Sequence, residues 1–227
     1  MCLIVAQNVF SQQKDSLRYE IMLNSSMLDT SIKTENFIGS IGISPDKFLT
    51  LSSGTKIYML GWGGIAPLGN PIDNSINAFS YTNDGLLMAI KKDELCFMNE
   101  KGNLEKIIQL PTSQMGITSG KEVMYLFDQI RNDNSYKLYA FAKAGKYKQL
   151  LVSPKPITTV VEMKDSVYVA IESGVYSLSP KNNTLSLLTG FQKENKIKSM
   201  EVDTLNNILY ISTREGIYAL KNDSLNL

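Results

Sequence analysis

Three carboxylates, Asp128, Asp133 and Glu172, have the best claim to chemistry in this sequence. Such a set could ligate calcium through oxygen or serve as a general acid and base. Its spacing fits no calcium loop of the form D-x-[DN]-x-[DN]-G, and the same residues serve equally well as solvated turn residues. Arg131 shares a polar stretch with Asp128 and Asp133, and Arg214 with Glu215 reads either as an anion clamp or as a turn. The single tryptophan, Trp62, lies in Leu60-Gly61-Trp62-Gly63-Gly64-Ile65-Ala66-Pro67-Leu68-Gly69-Asn70-Pro71. Flanking glycines could make it a binding platform, or it could plug a gap in the core. Trp62, Asp128, Arg131, Asp133, Glu172 and Arg214 are therefore the expected partner-contacting residues.

Composition narrows the chemistry further. The chain has no histidine, which removes Ser-His-Asp and Cys-His catalysis and any zinc site built on imidazole. No G-x-x-x-x-G-K-[ST] phosphate loop occurs. Cys2 and Cys96 cannot form a disulfide framework, and Cys96 reads as a small buried hydrophobe. We expect no catalytic residue, no metal and no cofactor. With 23 basic and 22 acidic residues the net charge is +1, which gives no reason to expect a nucleic-acid partner. No apolar run approaches the ~18 residues of a membrane helix, so no membrane span is expected.

The elements that must position these residues announce themselves by repetition. Ile57-Tyr58-Met59-Leu60, Leu95-Cys96-Phe97-Met98, Leu138-Tyr139-Ala140-Phe141, Val175-Tyr176-Ser177-Leu178 and Ile217-Tyr218-Ala219-Leu220 share one form. Their second residues, at 58, 96, 139, 176 and 218, are 38, 43, 37 and 42 residues apart. Upstream of each lies a short apolar run rich in β-branched and aromatic residues, such as Val167-Tyr168-Val169-Ala170-Ile171, which reads as a strand covered on both faces. Upstream again is an alternating strand, and downstream an outer strand, clearest at residues 104–110, 147–152 and 184–188. The glycine-rich segment around Trp62 takes the place of the outer strand in the first unit. A period near 40 residues with four strands per unit is that of a propeller blade.

The chain is thus expected to be all-β, a small β-propeller of about five four-stranded blades. A plain β-sandwich is the alternative, although it has no cause to repeat its strand order. After Leu220 little chain remains for the last outer strand, and residues 17–23, Leu-Arg-Tyr-Glu-Ile-Met-Leu, alternate before the first unit. That N-terminal strand is expected to close the last blade, removing two open edges. Residues 1–13 read either as the end of a secretory signal or as a short apolar strand. Residues 14–227 then form one propeller domain, periplasmic or extracellular if the signal reading holds and cytoplasmic otherwise.

Residues 165–178 and 207–220 resemble the repeats of quinoprotein-like propellers and those of sensor domains of bacterial two-component regulators. The blade-ending tryptophan of the quinoprotein type is missing, so the resemblance implies the fold and carries over no cofactor or catalytic residue. Three functions stay open. The first is a non-enzymatic binding module, of scaffold or inhibitor type, that acts as a monomer on a protein partner. The others are a glycan-acting hydrolase or lyase with carboxylates at the channel, and a ligand-sensing domain.

Overall fold

The structure is a computed structural model and describes residues 38–44, 46–61, 64–130, 135–142, 146–164, 166–179, 183–221 and 224–226. Among them every regular element is a strand. The first blade holds β1 (Ile38–Ile43), β2 (Leu49–Ser53), β3 (Lys56–Gly61) and β4 (Gly64–Leu68). The second holds β5 (Ile76–Tyr81), β6 (Leu87–Lys91), β7 (Glu94–Met98) and β8 (Leu104–Gln109). The third comprises β9 (Met115–Ser119), β10 (Val123–Asp128), β11 (Tyr136–Ala142) and β12 (Tyr147–Ser153). The fourth comprises β13 (Ile157–Met163), β14 (Ser166–Ile171), β15 (Gly174–Ser179) and β16 (Thr184–Gly190). The fifth is β17 (Ile197–Asp203), β18 (Ile208–Thr213), β19 (Ile217–Lys221) and β20 (Ser224–Asn226). Each sheet is an antiparallel meander in chain order. The chain is a β-propeller of five four-stranded blades.

Burial across a blade follows the side chains each strand carries. Second strands are covered on both faces: Leu87 to Ile90 are all buried, as are Met124 to Asp128. Outer strands such as β8 and β16 are largely exposed, and their sequences are correspondingly polar or mixed. The innermost strands of four blades carry a register irregularity at their start, between Ile38/Ser40, Ile76/Ala78, Ile157/Thr159 and Ile197/Ser199. An extra residue there bends each inner strand at the same level of the frame.

The core lies in the seams between successive blades rather than inside any one sheet. Inner strands β1 and β5, β5 and β9, β9 and β13, and β13 and β17 pack in turn. Ile57 of the first blade joins Phe79, Leu87 and Ala89 of the second. Ile90 and Leu95 meet Met115, Ile117 and Leu126 of the third, whose Leu138 and Tyr125 meet Val160 and Val169 of the fourth. Val161, Ala170 and Val175 then meet Ile197, Met200 and Leu209 of the fifth. Two glycines set how closely parts approach. A Cβ at Gly42 would meet the Phe79 ring of the next blade at 2.9 Å, and one at Gly116 would overlap the Phe127 ring.

Two features differ from the sequence reading. The first blade does possess its outer strand: β4 pairs with β3 through Leu60↔Ile65, Met59↔Ala66 and Tyr58↔Pro67. Gly64 and Pro67 disguise it, yet an edge strand tolerates proline because its missing N–H is not needed by a further neighbour. In the fifth blade the fourth position is filled by β20, with Leu220↔Leu225 and Ala219↔Asn226. The segment expected to close that blade, residues 17–23, lies outside the described residues, as do residues 1–13.

Candidate functional site

At one end of the frame the second strand of each blade turns into the third. In the first, second and fourth blades this turn is two residues long: Gly54-Thr55, Lys92-Asp93 and Glu172-Ser173. The leading residue of each is left-handed, with φ of 56°, 56° and 54°. That conformation suits glycine, and Lys92 and Glu172 adopt it at some cost. The turn carbonyls hold the chain that arrives from the outer strand. Ile72 N donates to Thr55 O at 2.9 Å, Leu110 N to Asp93 O at 2.7 Å and Phe191 N to Ser173 O at 2.7 Å. The next inner strand is tied in the same way, Ile76 N to Gly54 O and Ile197 N to Glu172 O, each at 3.1 Å. The rim is therefore a row of short turns bonded to the frame and ready to present side chains with little ordering cost.

The carboxylates on this rim each have a partner of their own. Asp128 is the last residue of β10, one residue beyond the apolar run read from sequence, and is fully buried. Its Oδ2 accepts a bond from Lys137 N at 3.0 Å across the mouth of the loop between β10 and β11. Glu172 pairs with Lys155 at 3.0 Å, both side chains about half exposed. Glu94 takes Lys106 at 2.9 Å and Lys91 at 3.7 Å, and Lys91 also reaches Asp73 at 3.2 Å. The bond from Lys106 holds the Glu94 carboxyl below its ordinary range, and that from Lys91 does the same for Asp73. In the fifth blade Asn195 and Glu215 bond reciprocally at 3.0 and 3.2 Å, leaving Arg214 exposed on the turn.

Of the six residues expected from sequence, the structure thus places Asp128, Glu172 and Arg214 at the same end of the third, fourth and fifth blades. Trp62, Arg131 and Asp133 lie outside the described residues. Among the described residues no three His, Cys, Asp or Glu side chains gather as a metal site. Cys96 is fully buried, and burial pushes its thiol up, away from nucleophile or ligand chemistry.

Two features escaped the sequence reading. Across the seam between the third and fourth blades, Glu162 Oε2 accepts from Tyr125 Oη at 2.9 Å and from Lys121 N at 3.0 Å. Burial, with the bond to Glu162 added, pushes the Tyr125 phenol well above its ordinary value. The second feature is a cleft of about 240 Å³ between the second and third blades, walled by Leu110, Pro111, Met115, Leu126, Tyr139 and Tyr147. The two tyrosine rings meet edge to face at 5.5 Å. The third blade, whose Tyr147 walls this cleft, exposes Ile130, Tyr147 and Val152 at 57%, 57% and 50%. Val152 lies opposite Lys137, at the foot of the loop that holds Ile130.

No family model matches the chain, and no curated protein sequence matches it. Solved structures do. The extracellular domain of a putative hybrid two-component system from B. thetaiotaomicron is 15% identical with a TM-score of 0.59, covering 88% of this chain and 33% of that one. A structural genomics protein of unknown function from Bacteroides thetaiotaomicron is 13% identical with a TM-score of 0.63, covering 80% and 58%. A gluconolactonase from Xanthomonas campestris is 11% identical with a TM-score of 0.65, covering 83% and 73%. The likeness is one of fold. The chain spans a third of the extracellular domain it matches.

Proposed function

We propose that this propeller is a non-enzymatic module that binds a protein partner outside the cytoplasm, with the third blade at the centre of the contact. The observation that carries the reading is the set Ile130, Tyr147 and Val152, three large apolar side chains exposed on the third blade, of which Tyr147 walls the cleft. An aromatic wall on a concave site, with further exposed apolar groups on the same blade, is what a partner's anchor residue needs. The tied rim, with Glu172, Arg214 and Lys155 exposed around it, supplies a polar border. Export fits residues 1–13 as the end of a secretory signal, and it agrees with the extracellular domains among the similar folds. Residues 14–227 act as one domain in this reading. A glycan-acting enzyme would instead need two acidic groups converging on a sugar. On this rim Glu172 and Glu94 are engaged by lysines, and Asp128 by a backbone amide.

The test is recovery of a partner from the envelope fraction of the source cells, using tagged protein and its Ile130→Asp/Val152→Asp variant. Wild type is expected to retain one partner in stoichiometric amount, and the variant to lose it by roughly tenfold or more, as for a hot-spot pair. Leu205→Asp, on an exposed turn of the fifth blade, should leave recovery unchanged. Equal recovery by all three proteins would overturn the placement. Release of reducing sugar from envelope glycans by the wild type would overturn the non-enzymatic reading.

A further inference from the structure

Register makes the five blades directly comparable, position by position. Ile41, Phe79, Ile117, Val160 and Met200 lie opposite Leu51, Ala89, Leu126, Val169 and Ile211 on their second strands. They are one position repeated five times, turned toward the preceding blade: Phe79 lies against Gly42, and Met200 packs with Ala170 and Val175. Phe79, Ile117, Val160 and Met200 are buried, at 8% exposure or less. Ile41 is 49% exposed, and Ile43, on the same face, 60%.

The other face repeats the pattern. Ile57, Leu95, Leu138, Val175 and Ile217 lie opposite Ser52, Ile90, Phe127, Ala170 and Ser212. The first four are at most 1% exposed and pack on the following blade, whereas Ile217 is 64% exposed. Glu201 and Tyr210 share its face. The two uncovered surfaces are therefore the preceding face of the first blade and the following face of the fifth. Each keeps the side chain that every other blade buries in a seam.

We propose that residues 14–37 of this chain occupy the space between the fifth and first blades, covering Ile41 and Ile43 on one side and Ile217 on the other. In all four seams the face equivalent to that of Ile41 is covered by the stretch of chain immediately upstream. The inner strands begin at residues 38, 76, 115, 157 and 197, steps of 38, 39, 42 and 40 residues. Residues 14–37, directly upstream of β1, stand in the position that covers this face everywhere else. They also carry Leu17, Tyr19, Ile21 and Leu23 in alternation, apolar groups suited to a seam.

Hydrogen–deuterium exchange on the full chain tests the assignment. Amides of residues 17–23 are expected to exchange about tenfold or more slowly than in a free peptide of the same sequence, at any protein concentration. Ile41→Asp/Ile43→Asp should return them to the peptide rate while β10 and β14 keep their protection. Should that variant loosen β10 as well, Ile217→Ser makes the same test from the other side, and unchanged protection of residues 17–23 in it overturns the proposal. Exchange at the peptide rate in the wild type also overturns it. Protection that vanishes on dilution does so too, assigning the two faces to a second copy of the chain.

Discussion

Glu162 and Glu172 stand on one blade and do opposite things. Glu162 reaches across the seam to the third blade and accepts from Tyr125 Oη and Lys121 N in a part-buried setting. Glu172 sits on the rim turn, in solvent, and pairs with Lys155. A carboxylate held by neutral donors in a seam belongs to the frame, because removing one donor leaves charge without compensation in a region of low dielectric. A carboxylate paired in water belongs to the surface, where the same distance contributes little. Seams hold this propeller together, and the rim is free to serve something else.

The comparison breaks most visibly if a seam is emptied. Leu138 is fully buried between the third and fourth blades, packed with Val160, Val169 and Leu150. Leu138→Ala should cost about 2–5 kcal/mol, read as a fall in the urea midpoint at constant slope. A loss below about 1 kcal/mol would mean that the seams are not where stability resides.

A smaller effect sharpens the role of the Tyr125–Glu162 bond. Tyr125→Phe should cost about 1.5–3 kcal/mol near neutral pH, the usual range for a hydrogen bond to a charged group. Its pH dependence has a definite sign. The phenol is raised in the folded protein, so above pH ~10 the unfolded chain ionises it while the folded chain keeps it neutral. Stability is thus fully present below that pH and falls as pH rises through it. Tyr81, raised by burial in the seam between the first and second blades, adds to the same fall. Melting temperature measured from pH ~9 to ~11.5 should drop less steeply in Tyr125→Phe than in the wild type. Equal slopes would assign the alkaline loss to other groups.

How much of this was legible depends on where each signal resides. The seams were visible because second and third strands carry apolar runs at a fixed period, so β2, β6, β10, β14 and β18 could be placed within a residue or two. The outer strand β4 was hidden, because Gly64-Ile65-Ala66-Pro67-Leu68 has the composition of a turn and an edge strand needs little propensity. Asp128 read as a loop residue, because one more ladder position draws it into β10, and no local feature marks that extra pair. Glu162 had a signal of a different kind. It lies 37 residues from Tyr125, close to one blade period, and an acid one period beyond a core tyrosine is placed to meet its hydroxyl across a seam. That rule needs the period before it can be used, and so it could not be applied to the residue in isolation.

The smallest effect is the most discriminating about the rim. Lys155→Ala removes only the pair with Glu172, half exposed on both sides, and should change stability by about 0–1 kcal/mol. Glu172→Gly removes the same pair and also relieves a left-handed backbone, where φ is 54° and a side chain is disfavoured by roughly 1 kcal/mol. The backbone bonds that Glu172 and Ser173 carbonyls accept from Ile197 and Phe191 survive both substitutions. Glu172→Gly should therefore be at least as stable as Lys155→Ala, by chemical denaturation under identical conditions. If it is instead the weaker of the two by more than about 1 kcal/mol, the glutamate side chain supports the frame as Glu162 does, and the distinction between seam and rim fails at the place chosen to draw it.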